Sequence, residues 1–418
     1  MNKRDFVTST NYRNPYRPLP VRALNSAARL GANPGLSRKL RADRLIEGAR
    51  RKTGLGDFGG DGWREALEVL VESINREASL SFTGRLIQRG RLGGALVHRL
   101  RAQALLSRHP EILDTDLGRI IMITGLQRTG TTVLHRLLHT HPDIKGITGA
   151  EALGPVPKSA TANSGKRGEM HARAAQRLIS WLSPDFQAIH PIEHAAPEED
   201  VILLDLGFMS QTPEAIMHVP TYSLWLEQQD HTESYRYFRK LLQILSWQWP
   251  TRNWVLKTPH HLEYLDVFHK VFPEATVVQT HRDPRKTLPS FCSMVAHGRA
   301  MFSDHVDPHE IGRHWRAKTC RMVDRAIEHR SQMDPDTIMD VSFYDLMDNP
   351  LKQFQRICRQ AGIECDNEAV AEGENYLRLN PRDCFGRHAY DMADFGLSEA
   401  LIEDSFSGYR QLYEIPIE

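Results

Sequence analysis

A short apolar run that leads directly into a glycine- and threonine-rich turn constrains the fold of this chain most strongly. Residues 120–123 are Ile-Ile-Met-Ile, and residues 125–132 read Gly-Leu-Gln-Arg-Thr-Gly-Thr-Thr. The run predicts a buried strand, and the apolar spacing over residues 133–138 predicts a helix. A strand that turns through glycines into a helix offers unpaired backbone N–H groups and the positive end of a helix dipole. The segment is therefore predicted to bind a phosphate group.

The rest of the chain alternates between short apolar runs and longer helical patterns. Residues 254–256, 275–278 and 337–341 predict further buried strands, and residues 235–247 and 309–329 predict helices. Strands that alternate with helices indicate a parallel sheet with crossover helices. We predict an α/β fold, with a P-loop-like parallel sheet flanked by helices and a helical N-terminal extension.

Three regions are predicted along the chain. Residues 1–45 carry many Arg, Asn and Pro residues and form an N-terminal arm to which we assign no chemistry. Residues 46–115 form a helical extension, with helices that start near Trp63 and cover about residues 83–107. Residues 116–418 form the phosphate-binding α/β domain.

The composition excludes several classes of function. The net charge of the 418 residues is +1, which argues against a broad nucleic-acid-binding field. No apolar stretch is long enough to span a membrane, although surface association stays open, and the N-terminus lacks the apolar run of a signal peptide. The 5 cysteines form no C-x-x-C pair and indicate reduced thiols, so we expect a cytoplasmic protein.

The first motif departs from a Walker A loop at one decisive position. Gly125 and Gly130 have the Walker spacing, but Thr131 stands where the lysine would be, and the cation is Arg128. ATPases and kinases depend on that lysine and on Mg²⁺ to neutralise the transferring phosphoryl group. The loop suits a nucleotide with a single 5' phosphate better.

A second motif follows the strand at residues 275–278. Arg282 comes at the carboxyl end of this strand, Asp283 and Pro284 start the next helix, and Ser290 follows in its early turns. Ligands of open α/β sheets bind at that edge, and the guanidinium fork of Arg fits a phosphate bidentately. Arg282 and Ser290 are therefore predicted to bind a second phosphate.

The two motifs together resemble the sulfotransferases. The string at residues 128–132 resembles the family's 5'-phosphosulfate loop, and Arg282 with Ser290 resembles its 3'-phosphate site. The string Phe385 to Tyr390 resembles a C-terminal pattern of bacterial members, which adds Arg387 and His388. The resemblance implies the co-substrate 3'-phosphoadenosine 5'-phosphosulfate, held by Gln127, Arg128, Thr129, Gly130, Thr131, Thr132, Arg282, Ser290, Arg387 and His388.

Sulfuryl transfer needs cations beside the leaving oxygen and a base beside the acceptor hydroxyl. Arg128 is one cation, and Lys257 is the other, because the string Lys257-Thr258-Pro259 resembles the K-x-P string of several sulfotransferase branches. No metal is predicted, since His135 and His139 have the spacing of a zinc pair without the accompanying glutamate of H-E-x-x-H.

The base is predicted to be Glu151. It follows a His-Pro-Asp-Ile string that resembles the protein-tyrosine sulfotransferase arrangement, in which such a glutamate is the base. The small-molecule branch uses a histidine, so His190, His194 and His260 are rivals.

The acidic residues 198–200 have two interpretations of equal weight. They form a wall of the acceptor site, or they are an acidic start of the apolar helix predicted at residues 201–209. The acceptor itself is predicted only as a small or lipidic molecule with a hydroxyl. The alternatives to a sulfotransferase are a P-loop phosphotransferase and a nucleotide-binding module without turnover.

Overall fold

A parallel sheet forms the centre of the protein in the computed structural model. The structure describes residues 6–7, 12–13, 15–30, 39–157, 164–184, 193, 195–380, 387–388 and 390–418. Within this part of the chain, the strands are β1 (Phe6–Val7), β2 (Arg119–Gly125), β3 (Ile144–Gly146), β4 (Asn253–Lys257), β5 (Thr276–His281), β6 (Ile338–Ser342) and β7 (Arg387–His388). The main sheet has the order β3-β4-β2-β5-β6, and every neighbouring pair is parallel. The strands predicted at 120–123, 254–256, 275–278 and 337–341 are β2, β4, β5 and β6.

Helices surround this sheet and precede it. In chain order they are α1 (Leu19–Arg29), α2 (Ala42–Thr53), α3 (Gly62–Glu77), α4 (Phe82–Arg108), α5 (Thr131–Leu138), α6 (Gly149–Leu153), α7 (Ser164–Leu182), α8 (Val201–Asp205), α9 (Thr212–Ile216), α10 (Pro220–Leu226), α11 (Thr232–Gln248), α12 (Leu265–Val271), α13 (Pro284–Phe302), α14 (Pro308–Arg330), α15 (Phe343–Asp348), α16 (Pro350–Gln360), α17 (Asn367–Leu379) and α18 (Glu399–Leu412). The α/β fold with a helical N-terminal extension is thus confirmed.

The two faces of the sheet bury different apolar clusters because side chains alternate along each strand. Ile120 and Met122 of β2 belong to the larger cluster, whereas Ile121 and Ile123 belong to the smaller one. The smaller cluster is closed by α5, α16 and α17, for example through Leu134. Burial on both faces holds the carboxyl ends of β2, β4 and β5 at one fixed edge.

The helical extension packs into the larger cluster. Trp63 and Leu67 of α3 and Leu96 of α4 are buried in the same cluster as Phe238 of α11. The backbone of Leu80 also bridges to that of Ser303, just after α13. The extension therefore shares a hydrophobic core with the sheet region, and the boundaries at 45/46 and 115/116 stay predictions.

The helix predicted at residues 201–209 is shorter than expected. Helix α8 ends at Asp205, and Phe208 adopts a left-handed backbone conformation with φ 59°. A left-handed residue interrupts helical hydrogen bonding, so the apolar run continues as a buried turn. Within the described residues, no helix combines the length and the apolarity needed to cross a membrane.

Candidate active site

The loop between β2 and α5 has the backbone conformation of a tight anion-binding turn. Gly125 has φ 142°, and a Cβ atom there would lie 2.4 Å from Oγ1 of Thr280. Gly130 has φ 89° and caps α5, and its Cβ would lie 3.0 Å from Cδ2 of Leu346. Arg128 has φ 70°, an uncommon conformation for a residue other than glycine. The loop thereby turns sharply enough to point the first N–H groups of α5 outward.

The hydroxyl of Thr129 holds this loop together. Its Oγ1 donates to the carbonyl of Leu126 at 2.6 Å and lies 2.6 Å from Oγ1 of Thr280 on β5. The side chain is fully buried, so its hydroxyl belongs to the loop and to the neighbouring strand. Thr129 is not part of the cavity wall described below, so its predicted contact with the donor stays a prediction.

A cavity of about 400 Å³ opens over the loop at the carboxyl edge of the sheet. Its wall brings together both arginines of the two phosphate motifs and a carboxylate from a third segment. The lining residues are Gln127, Arg128, Gly130, Thr131, Thr132, Val133, Glu199, Pro259, Arg282, Met294, Phe343 and Met347. This volume lies in the usual range for a small-molecule site.

Lys257 and Glu199 form an ion pair at the edge of the cavity. Lys257 ends β4 with only 3 % of its side chain exposed, and its Nζ donates to Oε1 of Glu199 at 2.7 Å. Glu199 reaches this position because backbone pairing of residues 197–198 with residues 147–148 brings the segment to the sheet edge. Lys257 itself does not line the cavity, and its predicted role beside the leaving oxygen stays a prediction.

Glu198 precedes Glu199 in the chain, and its carboxyl group is largely buried. Burial raises the pKa of its carboxyl to about 7, against the opposing effect of Lys257 and with a smaller contribution from Glu199. No hydrogen-bond partner reaches its Oε1 from the described residues. Glu198 therefore keeps its proton closer to neutral pH than an exposed glutamate does.

The raised pKa of Glu198 predicts a stability that falls as the pH rises. The folded state keeps the proton up to about pH 7, whereas the unfolded chain loses it near its ordinary value of 4.5. Stability therefore falls progressively between these two pH values, and the loss is complete above about pH 7. Glu198→Gln should stabilise the protein at about pH 8 by on the order of 1 to 2 kcal/mol, after allowance for partial exposure. At about pH 4 the gain should vanish.

Thermal unfolding of both proteins across this pH range measures the effect. The exposed Glu372 in α17 provides the control, since Glu372→Gln should not change the pH dependence. A gain for Glu198→Gln that is equally large at both pH values would contradict the assignment.

Arg282 faces the cavity from the end of β5. Its Nε and Nη2 donate to Oε1 and Oε2 of Glu418 at 2.8 and 3.0 Å, and its Nη1 donates to the carbonyl of Arg128 at 3.2 Å. The guanidinium group also lies 3.9 Å from the ring centroid of Phe343. The carboxylate of Glu418 thus makes a bidentate contact with Arg282, a geometry that phosphate groups also adopt with arginine. Glu418 is fixed further by the hydroxyl of Tyr344 at 2.8 Å and by its own N–H on Asp283.

Ser290 lies in α13, as predicted, and is buried. Its hydroxyl interacts with Tyr390, whose own hydroxyl donates to the carbonyl of Lys286 at 3.0 Å. Burial raises the pKa of Tyr390, and the nearby Arg282 and Arg128 oppose that rise. Tyr390 therefore contacts Ser290 and lies within electrostatic range of both arginines.

Glu151 lies away from the cavity wall, and its role as the base stays a prediction. Thr148 and Glu151 form a capping box at the start of α6, in which Oε2 accepts from the N–H and the hydroxyl of Thr148 at 2.9 and 3.0 Å. Its other oxygen, Oε1, lies 2.6 Å from Nζ of Lys145. Both carboxylate oxygens are therefore engaged, and Glu151 does not line the cavity.

Of the three rival histidines, His260 is the one that the structure describes. It is buried among the rings of His231, Tyr235 and Tyr264 and does not line the cavity. Burial holds its pKa well below the ordinary value. His190 and His194 lie outside the described residues.

Arg387 and His388 are described by their backbone alone. They form β7, which pairs in parallel with β1 in the register Phe6 to Arg387 and Val7 to His388. Their predicted contact with the donor therefore stays a prediction.

Two residues of this site, Glu199 and Tyr390, were not predicted for their present roles. Glu199 belongs to the acidic segment 198–200, for which an acceptor-side wall was one of two interpretations. Tyr390 ends the predicted C-terminal string, but an isolated tyrosine carries no signal in spacing or charge. In contrast, the sequence T-x-x-E at residues 148–151 is itself a capping-box signal that argues for a structural role of Glu151.

Comparison with known proteins identifies the family. The model of the sulfotransferase family matches residues 121–367, which is more than half of the chain. The chain therefore belongs to the sulfotransferase family, and the resemblance drawn from its two phosphate motifs is confirmed.

Individual relatives come from mycobacteria. The crystal structure of sulfotransferase STF1 from Mycobacterium tuberculosis H37Rv is 32% identical, with a TM-score of 0.78, and the match covers 89% of this chain and 100% of that one. Sulfotransferase STF9 from Mycobacterium avium is 26% identical, with a TM-score of 0.83 and coverage of 91% and 98%. The omega-hydroxy-beta-dihydromenaquinone-9 sulfotransferase Stf3 of Mycobacterium tuberculosis is 26% identical over 264 residues. That match covers 58% of this chain and 62% of the relative, so less than two thirds of the relative's length is represented.

Proposed function

We propose that this chain transfers a sulfuryl group from 3'-phosphoadenosine 5'-phosphosulfate to a hydroxyl of a lipidic or other small acceptor. One observation carries the proposal. A single cavity is lined by Arg128 and Arg282, which come from the two separate motifs, and by Glu199. The carboxylate of Glu199 accepts a hydrogen bond from Lys257. Family membership supports the donor, and the grouping of these side chains around one cavity supports the proposed reaction.

The donor is assigned two phosphate positions. The N–H groups of the first turn of α5, with the side chains of Arg128 and Thr132, hold the 5'-phosphosulfate. Arg282, supported by Ser290 and Tyr390, holds the 3' phosphate after Glu418 leaves it. Phe343 and Met347 supply apolar surface between these positions.

The reaction is a displacement at sulfur. The acceptor oxygen forms a bond to sulfur while the bond from sulfur to the 5'-phosphate oxygen breaks, and that oxygen keeps the electron pair. Lys257 and Arg128 stabilise the charge that develops on the leaving oxygen. Glu199 takes the proton of the acceptor hydroxyl, which otherwise is a poor nucleophile at neutral pH. The products are adenosine 3',5'-bisphosphate and a sulfate ester.

A lipidic alcohol is our proposal for the acceptor. The support is a relative, Stf3, whose name specifies an omega-hydroxylated menaquinone derivative as its substrate. Met294 adds apolar surface to the cavity wall. The cytoplasm, a compartment that keeps thiols reduced, remains the proposed location, supported by the free thiols of Cys292, Cys320, Cys358 and Cys365.

Product analysis with labelled donor tests the function. Incubation with the donor and a lipid extract containing hydroxylated quinones should release adenosine 3',5'-bisphosphate and yield a product heavier by one sulfuryl group. Turnover should persist in excess EDTA, because Lys257 and Arg128 supply the positive charge.

Two outcomes would contradict the proposal. Transfer of a phosphoryl group from ATP, lost in EDTA and restored by Mg²⁺, would favour a phosphotransferase. Tight binding of the donor without turnover across the extract would favour a nucleotide-binding module.

A further inference from the structure

Helix α7 presents an unusual stripe of side chains on its outer surface. Among its residues whose side chains are described, the exposed ones from residue 170 onward recur at helical spacings of three and four. They are Met170, Arg173, Ala174, Arg177, Leu178 and Trp181, and we call them the α7 stripe. Residues at these spacings lie on one face of a helix.

The α7 stripe exposes large apolar side chains to water. Met170 is 59% exposed, Leu178 is 47% exposed and Trp181 is 45% exposed. On the inner side, Ala172 is buried and α7 packs against α6. The exposed apolar residues therefore belong to the face that points away from the protein, and a contiguous patch of this kind marks an interaction surface.

Positive charge is interleaved with these apolar groups. Arg173 and Arg177 stand one turn apart within the stripe, and Arg173 also pairs with Glu169. Long cationic side chains reach the headgroups of a bilayer while their stems cover apolar surface, and tryptophan favours the membrane–water interface.

We propose that α7 docks this protein onto the surface of a lipid bilayer that contains anionic lipids. The apolar members of the stripe enter the boundary between headgroups and acyl chains, and Arg173 and Arg177 contact the headgroup phosphates. This is peripheral binding by a helix that lies in the plane of the membrane surface.

A second copy of the chain fits the α7 stripe less well. A two-fold contact would place the stripes of both copies against each other. Four arginines would then share one interface, with a Glu169 near only one arginine of each copy. Like charges in a desolvated interface are unfavourable, whereas an anionic bilayer complements them.

The position of α7 connects the bilayer with the active site. Helix α6 packs against both α7 and α8, and α8 begins two residues after Glu199. Docking through α7 therefore brings the acceptor side of the cavity close to the membrane. This consequence rests on the proposed function, because it concerns delivery of a lipidic alcohol, whereas the docking itself does not depend on turnover.

Vesicle co-sedimentation of the full chain tests the proposal. Wild type should sediment with phosphatidylcholine vesicles that contain phosphatidylglycerol, and should bind much more weakly to phosphatidylcholine alone or at high salt. Leu178→Ser/Trp181→Ser should weaken binding to the anionic vesicles by at least about tenfold. Arg177→Gln should weaken it by about fivefold, the usual contribution of one basic residue near an anionic surface.

The double variant Leu224→Ser/Leu412→Ser is the matched control. Both leucines are at least as exposed as Leu178 but lie on α10 and α18, so binding should stay at the wild-type value. A thermal shift with adenosine 3',5'-bisphosphate verifies that each variant is folded. The proposal is overturned if wild type ignores anionic vesicles, or if the control loses binding as strongly as the stripe variant. It is equally overturned if light scattering finds a dimer that only the stripe variant dissociates, which would make the stripe an interface between copies.

Discussion

Glu199→Gln is expected to lower turnover by about 100-fold or more, the usual range for the loss of a general base. The affinity for adenosine 3',5'-bisphosphate should stay within about threefold of wild type, since the phosphate ligands are unchanged. The substitution separates the role of Glu199 as a proton acceptor from its role as a hydrogen-bond partner of Lys257. An amide oxygen still accepts the hydrogen bond from Nζ of Lys257, which Glu199 receives at 2.7 Å, but it takes no proton at neutral pH. A residue that only positions Lys257 would tolerate glutamine.

Single-turnover rates and the binding of the bisphosphate together measure this effect. Glu151→Gln is a matched control, because glutamine also completes a capping box and should preserve α6. Its turnover should remain near that of wild type. The reverse pattern, with an inactive Glu151→Gln and an active Glu199→Gln, would restore the sequence-based assignment of the base.

The sequence was sufficient to locate the two motifs that meet at the cavity because each is a local pattern. A strand, a glycine turn and a helix start follow one another within residues 119–138. Arg282 and Ser290 are also close in sequence, since Arg282 directly follows β5 and Ser290 lies in the early turns of α13. Neighbouring parallel strands then bring both patterns to one edge of the sheet. These motifs predicted the fold, the family and the arginines that line the cavity.

The proposed base could not be found in this way because it depends on a long-range pairing. Glu199 meets Lys257 across 58 residues of sequence, after the backbone of Pro197 has bridged to that of Thr148. No periodicity in the acidic run predicts that contact. The same bridge joins the Glu199 segment to Thr148 at the start of the Glu151 helix, where the carboxylate of Glu151 contacts Thr148 and Lys145.

The ion pair between Arg282 and Glu418 could not be predicted from the sequence either. Glu418 lies 136 residues further along the chain, and its carboxylate accepts two hydrogen bonds from the guanidinium group of Arg282. If Arg282 binds the 3' phosphate as proposed, the donor displaces this carboxylate, and its affinity depends on the difference between two bidentate contacts. Glu418→Gln should therefore tighten binding of adenosine 3',5'-bisphosphate, by about three- to tenfold, because a neutral amide competes less well for Arg282.

Arg282→Ala is expected to weaken binding of adenosine 3',5'-bisphosphate by about 30- to 1,000-fold, the range for the loss of a charge-assisted bidentate contact. AMP has no 3' phosphate, so its weaker binding should change little. Calorimetric titration of both nucleotides against wild type, Arg282→Ala and Glu418→Gln measures the selectivity directly. In wild type the bisphosphate should bind far more tightly than AMP, and in Arg282→Ala the two affinities should converge.

The double variant Arg282→Ala/Glu418→Gln shows whether the two residues act through the same contact. If Glu418 weakens binding only by occupying Arg282, its substitution should add nothing once the arginine is gone, and the two effects should be non-additive. An equal gain from Glu418→Gln in both backgrounds would mean that Glu418 repels the donor through its charge alone. Equal affinities of wild type for AMP and the bisphosphate would show instead that Arg282 reads no 3' phosphate, and the assignment of the donor would fail with it.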